Sequence, residues 1–241
     1  MKTPDSRFFC NLITVGTLVL DETESSHAVR VCRAAAGDIL QLCDGQGHFA
    51  DATVTDANPK ACEVRIDAVE NASAERPLLN LAIGCLKDDA LEEVVFHAAQ
   101  AEVDSITFLR TDFSQEPKNS DLHKLVRRSE LKSLVSLKQS KKPWLTRIEG
   151  PIEFDKWLSS YNGDLVLCDI DGESSLPTVT TRVASGNAKS VTLLIGPEGG
   201  FSPREIELAK NFSAGKTELL KLGNTRLRAR TAAIVALGKL L

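Results

Sequence analysis

The sequence predicts a small β-barrel followed by an α/β domain. Three observations carry that prediction. Before residue 70, short alternating apolar segments are separated by turn dipeptides. At 71–77 lies a polar, proline-terminated seam, and from residue 78 continuous apolar runs alternate with helical periods. In the first part, Ile39-Leu40-Gln41-Leu42-Cys43 runs into Asp44-Gly45, where glycine accepts a positive φ without steric cost. His48 to Thr55 follows, Asn58-Pro59 makes a second turn, and Ala61 to Val69 alternates through Val64, Ile66 and Ala68. With a short helix around Ser26–Arg33, strands at this spacing suggest a small barrel. The seam Asn71-Ala72-Ser73-Ala74-Glu75-Arg76-Pro77 marks the domain boundary, giving domains 1–73 and 78–241.

In the second part, Leu78–Cys85 reads as a strand and Asp89–Ala101 as a helix with Leu91, Val94, Val95 and Ala98 on one side. Ile106–Leu109 is a strand, and residues 119–140 form a long basic helix with Leu122, Leu125, Val126, Leu131, Leu134, Val135 and Leu137 inside. Leu165–Ile170 and Val191–Ile195 are continuous apolar runs, as in strands buried on both faces of a parallel sheet. A helix from Ser202, a strand ending near Leu222 and a helix over Ala232–Leu240 complete the order β, α, β, α, β, β, α, β, α.

Composition narrows the class. Apolar residues at 42% and charged residues at 26% are ordinary globular usage, which excludes collagen-like and disordered chains. No run approaches the ~18 apolar residues of a membrane span. Met1-Lys2-Thr3-Pro4-Asp5-Ser6-Arg7 has no apolar core behind it and does not read as a secretory signal, so a cytoplasmic protein is expected. The six cysteines (Cys10, Cys32, Cys43, Cys62, Cys85, Cys168) show no metal-ligand spacing and are expected to be buried, reduced thiols, with no metal site. His27, His48, His97 and His123 form no metal or triad pattern.

The net charge of −4 is unevenly distributed. Residues 1–77 hold 7 basic and 12 acidic residues, whereas 78–241 hold 22 and 21. Within 118–147, Lys118, Lys124, Arg127, Arg128, Lys132, Lys138, Lys141, Lys142 and Arg147 face only Asp121 and Glu130. Lys221, Arg226, Arg228 and Arg230 add a second acid-free cluster. A polyanion feels the local field, so both stretches are candidate phosphate contacts; a solvated helix face would explain the first equally well.

Two loops carry chemical information. In Ile195-Gly196-Pro197-Glu198-Gly199-Gly200-Phe201-Ser202-Pro203-Arg204-Glu205 a buried strand ends in a turn with three glycines in five residues. A helix then starts with Ser202 as N-cap, Pro203 at its first position and Glu205 completing a capping box. Glycines here let a ligand approach backbone, and ligands bind at the carboxyl ends of strands in open α/β sheets. A tight turn before a well-capped helix is the plainer explanation. The second loop, Leu219-Leu220-Lys221-Leu222-Gly223-Asn224-Thr225-Arg226-Leu227-Arg228-Ala229-Arg230-Thr231, spaces its arginines by two, so they point in different directions. Gly215-Lys216-Thr217 is not a P-loop, because the earlier glycine falls on Lys210, and residues 196–201 do not fit G-x-G-x-x-G.

Together these loops resemble the RsmE family, ribosomal RNA small-subunit methyltransferases of the SPOUT superfamily. The resemblance rests on Leu194-Ile195-Gly196-Pro197-Glu198-Gly199-Gly200-Phe201-Ser202 with Leu222-Gly223 and Leu227-Arg228 beyond it. It extends to Arg7-Phe8-Phe9, His27-x-x-Arg30-Val31-x-Arg33, Gly37-Asp38, Asp44-Gly45-x-Gly47 and Lys138-Gln139-Ser140. It implies an N-terminal PUA-like RNA-binding β-barrel and a C-terminal SPOUT α/β domain with a deep trefoil knot. It further implies a homodimer, and S-adenosylmethionine-dependent methylation of a uridine at N3 in 16S ribosomal RNA. The cofactor is expected on Leu194, Ile195, Gly196, Pro197, Glu198, Gly199, Gly200, Leu220, Leu222, Gly223 and Leu227. RNA is expected on Arg7, Arg30, Arg33, Arg127, Arg128, Lys141 and Lys142, and catalysis on Arg228 with Arg230.

The sequence departs from the family at Ala229 and Arg230, which replace Thr and Glu, at His97–Val103, and at Ser26, which replaces the first of a His pair. A guanidinium in place of a carboxylate keeps a second reading in play, a catalytically altered RNA-binding paralogue acting in ribosome assembly. A small-molecule α/β enzyme without RNA is disfavoured by the two basic stretches.

Overall fold

A computed structural model describes residues 7–73, 77–86, 88–114, 122–173 and 189–240. The chain divides into two compact units, Met1–Ala74 with Leu134–Leu145, and Glu75–Ser133 with Thr146–Leu241.

The first unit is built on β1 (Phe8–Phe9), β2 (Gly16–Val19), β3 (Ile39–Cys43), β4 (His48–Asp56), β5 (Glu63–Ile66) and β6 (Glu70–Asn71). They form one sheet in the order β1-β3-β4-β5-β2, with β6 beside β4. Alternate residues Leu40, Leu42, Ala52, Val54, Val64 and Ile66 point into a shared core with Phe8. The helix begins earlier than the apolar pattern suggests: α1 (Glu22–Ser26) starts where Asp21 accepts the Glu24 N–H at 2.8 Å, and one π-turn (His27–Val31) continues it. At the Asp44-Gly45 turn, Asp44 Oδ1 accepts the N–H groups of Gln46 and His48 at 2.7 and 3.1 Å.

The single cut at 71–77 does not describe the division, because Leu134–Leu145 returns to the first unit. Backbone bonds hold it there: Arg7 N–H to the Lys138 carbonyl at 3.0 Å, Leu145 N–H to Gly45 at 2.8 Å and Gly47 N–H to Pro143 at 3.0 Å. Trp144 lies so close to Gly47 that an added Cβ would fall 2.5 Å from its ring. Lys138 Nζ also reaches the buried Glu24 carboxylate at 2.6 Å.

The second unit contains β7 (Leu78–Gly84), α2 (Asp88–Gln100), β8 (Ser105–Arg110), most of α3 (Leu122–Ser140), β9 (Arg147–Glu153) and α4 (Phe154–Ser160). It continues with β10 (Asp164–Glu173), β11 (Ser190–Ile195), α5 (Pro203–Lys210), β12 (Thr217–Leu220) and α6 (Ala229–Leu240). All six strands are parallel, in the order β12-β10-β11-β7-β8-β9. Successive residues feed opposite faces, which is why the central strands read as unbroken apolar runs. Leu81, Ile83, Ile106 and Leu193 pack with Leu91 and Val95 of α2 and Ala233, Ala236 and Leu237 of α6. Ala82, Leu165, Leu167 and Leu194 pack with Phe154, Trp157 and Leu158 of α4 and Ala209 of α5.

The sequence order omits β9 and α4. Gly150-Pro151 interrupts the β9 pattern, and proline is tolerated because β9 is an edge strand. Gly150 has φ +93°, and a Cβ there would fall 2.4 Å from the Phe108 carbonyl oxygen. The apolar stripe of α6 is consumed inside the chain, where Ala233, Ala236, Leu237 and Leu240 are buried; its apolarity therefore needs no second subunit. Lys118 and the start of the long basic helix at 119–121 lie outside the described residues. A knot is a property of the whole chain path, and residues 174–188 of that path also lie outside them.

Removing the ammonium of Lys138 leaves Glu24 buried and unpaired. Lys138→Met should destabilise the first unit by about 3–5 kcal/mol, and adding Glu24→Gln should recover part of the loss. Urea unfolding followed by Trp144 emission in a Trp157→Phe background measures both.

Candidate active site

Because β10, β11 and β12 are parallel neighbours, the second half of β10 and the loops after β11 and β12 open on one edge of the sheet. They line a cavity of about 390 Å³, within the range of small-molecule sites. From β10 come Cys168, Asp169 and Ile170, and from the loop after β11 come Ile195 through Phe201, with Ile206 of α5. Leu222, Gly223, Thr225, Arg226 and Leu227 follow β12, and Ala229 and Ala232 belong to the first turn of α6.

The loop after β11 is folded tightly. Gly84 at the end of β7 has no side chain where a Cβ would lie 2.7 Å from the Pro197 nitrogen. Gly200 donates its N–H to the Pro197 carbonyl at 2.9 Å and has φ +77°. The capping box forms as expected: Ser202 Oγ accepts the Glu205 N–H at 3.3 Å, and Glu205 Oε2 accepts the Ser202 N–H at 2.8 Å.

Glu205 is fully buried, and its Oε1 accepts the N–H of Asp112 from the loop after β8 at 2.9 Å. Asp112 in turn accepts from Ser202 Oγ at 2.5 Å and from Arg204 at 3.0 Å, while Arg204 also grips Asp155 at 2.7 Å. Hydrogen bonds from Arg204 and then Ser202 hold the Asp112 carboxyl below the usual carboxylate range. The tie is therefore complete above the ordinary carboxylate pKa and is lost as pH falls through the lowered one.

In the loop after β12, Gly223 has no left-handed φ, and among the described residues a Cβ there would meet no atom within 4 Å; Gly238 of α6 is equally open, but of the two only Gly223 lies in the cavity lining. Neither backbone strain nor packing requires glycine at 223; the empty space in front of it is the cavity.

The three arginines diverge. Arg226 lines the cavity and donates to the Glu198 carbonyl at 3.4 Å, joining the two loops. Arg228 is the residue before α6, its carbonyl accepting the Ala232 N–H at 2.8 Å; its exposed guanidinium has no partner among the described residues. Arg230 turns away and pairs with Glu93 of α2 at 2.7 Å, outside the cavity lining.

Of the residues named from sequence for the cofactor, Ile195 through Gly200, Leu222, Gly223 and Leu227 line the cavity. Leu194 and Leu220 do not; both are buried within the sheet. The lining also includes Cys168, Asp169, Ile170, Phe201, Ile206, Thr225, Arg226, Ala229 and Ala232, which sequence reasoning did not name for the cofactor. Asp169, a carboxylate within the otherwise apolar run Leu165–Ile170 of β10, was the available signal for the β10 contribution. Burial pushes the Cys168 thiol up to about 12, so it stays neutral near physiological pH.

The basic residues sort differently from expectation. Lys142 is buried, and its carbonyl accepts from Arg7, whose guanidinium lies 4.6 Å from the centre of the Phe49 ring. Arg128 is bound to Glu92 at 3.0 Å. Arg30, Arg33, Arg127 and Lys141 are exposed without partners among the described residues. Charge at a lysine or arginine thus did not by itself identify a surface open to phosphate.

A parallel sheet with a glycine-built cavity at its carboxyl edge, preceded by a separate β-rich unit, defines a two-domain α/β protein with a small-molecule site. Residues 74–241 match the model of an RNA methyltransferase domain, and residues 20–67 that of an RNA methyltransferase PUA domain. The chain belongs to this RNA methyltransferase family, in the ribosomal RNA small subunit methyltransferase E group.

It is 27% identical over 223 residues to the ribosomal RNA small subunit methyltransferase E of Rickettsia conorii, covering 90% of this chain and 88% of that one. With the protein of the same name from Mycobacterium bovis it shares 28% over 232 residues, covering 93% and 86%. A putative methyltransferase from Legionella pneumophila, solved in complex with S-adenosylmethionine, superposes with a TM-score of 0.79 at 26% identity, covering 97% and 96%. The fold is also that of the Neisseria gonorrhoeae ribosomal RNA small subunit methyltransferase E, with a TM-score of 0.82 at 19% identity over 97% of this chain and 95% of that one. The N-terminal unit is accordingly PUA-like and the C-terminal unit an RNA methyltransferase domain.

A desolvated thiol should react slowly. Near pH 8, alkylation of Cys168 in the native protein should run roughly a thousandfold below that of an ordinary thiol, because so little is thiolate. Mass spectrometry of the Cys168 peptide after timed iodoacetamide exposure reads this rate.

Proposed function

We propose that this chain transfers a methyl group from S-adenosylmethionine to N3 of a uridine in 16S ribosomal RNA. The carrying observation is that both units together align along nearly their whole length with enzymes named for methylating small-subunit ribosomal RNA. The cavity fits the cofactor, since Gly223 lines it and leaves open a space that no atom of the described residues fills. Backbone of Ile195–Gly200 and Leu222–Leu227 would hold it. When bound, S-adenosylmethionine supplies an electrophilic methyl group on a sulfonium.

What the chain must add is orientation and charge. Uridine N3 carries a proton and is a poor nucleophile until that proton leaves. Arg228, between the lining residues Leu227 and Ala229 and without a partner among the described residues, supplies positive charge for the oxygen on which negative charge develops. Arg226 keeps the two loops in register through Glu198. Cys168, held neutral, does not compete as a nucleophile. The pairing of Arg230 with Glu93 keeps the substituted guanidinium out of the cavity lining, which supports an active enzyme over an altered RNA-binding paralogue.

We also infer the knotted path, a homodimer and a cytoplasmic setting from the same family membership; among the described residues no helix is long and apolar enough to cross a membrane. RNA contacts fall to Arg30, Arg33, Arg127 and Lys141, the basic residues left exposed and unpaired.

Gly223→Val should abolish S-adenosylmethionine binding in calorimetry while leaving the circular dichroism spectrum unchanged; unchanged affinity would remove the cofactor from this cavity. Arg228→Ala should lower turnover by roughly 10²–10³ with cofactor affinity intact. Neutralising Arg30, Arg33, Arg127 and Lys141 together should flatten the salt dependence of RNA binding, and an unaltered slope would place RNA elsewhere.

A further inference from the structure

Phe113 is the only aromatic among the exposed large apolar side chains of the described residues, with 49% of its surface open. It follows β8, and its position beside the cavity is tight: a Cβ on Gly199 would lie 2.9 Å from Phe113 Cβ and 3.4 Å from its Cγ. Gly199 lines the cavity, whereas Phe113 stands just outside the lining, at the rim.

The residues flanking Phe113 are fixed. Thr111 N–H donates to Ser114 Oγ at 2.9 Å, and that hydroxyl donates to the Leu109 carbonyl at 3.2 Å. On its other side, Asp112 is held by buried Glu205, Ser202 and Arg204. The ring itself makes no ring contact among the described residues. Phe154, Trp157, Tyr161, Phe201 and Phe212, by contrast, form a linked series of ring contacts. A large apolar ring presented to water between two hydrogen-bonded neighbours is suited to a flat partner.

A base methylated on a ring nitrogen has to leave its stack to reach the reacting centre, and it or its neighbour then lacks a stacking partner. We propose that Phe113 is the platform on which a nucleobase of the RNA substrate stacks at the mouth of the cavity. This rests on the methyltransferase reading above. The position outside the lining favours the RNA over the adenine of the cofactor as the stacked ring. Because hydrogen bonds hold the residues on both sides of Phe113, little ordering cost accompanies the stack.

The test uses the full-length chain and small-subunit ribosomal RNA from a strain lacking it, with Phe113→Ala, Phe113→Leu and Phe113→Trp. Removing one base–aromatic stack should raise the Kd for RNA about 5- to 150-fold in the Ala variant. Leucine, apolar but not flat, should fall with alanine, and tryptophan should restore binding. Cofactor affinity by calorimetry should stay at the starting value in all three. Full RNA affinity in the Leu variant, or a fall in cofactor affinity parallel to the fall in RNA affinity, overturns the proposal. A starting protein that binds RNA and cofactor yet transfers no methyl group overturns the methyltransferase reading instead, while the RNA affinities still decide the role of Phe113.

Discussion

The carboxylate of Glu205 is fully buried, and each of its oxygens accepts a peptide N–H, Oε2 from Ser202 and Oε1 from Asp112. An ionised carboxylate taken out of water without partners would be strongly destabilising; two charge-assisted bonds offset that cost only where both donors reach it. The start of the loop after β8 and the end of the loop after β11 are therefore held to one carboxylate. One consequence is that the glycine turn is tied to its neighbouring strand connection. Another is that Phe113, next to Asp112, is carried to the rim of the same cavity.

Glycine serves two separate purposes around this constraint. Gly84 and Gly196 make room for protein: a Cβ at either would lie under 3 Å from the loop backbone. At Gly223 nothing among the described residues within 4 Å would oppose a side chain. Open space alone does not point to a ligand, since Gly238 of α6 is equally open; the place of Gly223 in the cavity lining does. The distinction also separates the two loops, of which the first has Gly196, Gly199 and Gly200 and the second has Gly223 alone.

Local signals were legible from residue order alone. Ser202-Pro203-Arg204-Glu205 announced a capped helix, and the unbroken apolar runs at Leu78–Cys85 and Val191–Ile195 announced buried parallel strands. What the order of residues did not carry was partnership at a distance. Glu205 reads as a capping residue; its second donor, Asp112, lies 93 positions away. The return of Leu134–Leu145 to the N-terminal unit depends on bonds to Arg7, Gly45 and Gly47 that no seam in the sequence marks. Nor did residue order carry the burial of Lys142 or the pairing of Arg230 with Glu93. The family resemblance supplied the cofactor and the reaction; spacing alone reached only a ligand site at a strand edge.

The central claim concerns a covalent mark on ribosomal RNA, so the most direct measurement is nucleoside mass spectrometry of small-subunit ribosomal RNA from a strain deleted for this chain. The account predicts loss of one N3-methyluridine, restored by the intact gene and not by a copy carrying Gly223→Val. An unchanged N3-methyluridine content in the deletion strain would contradict it.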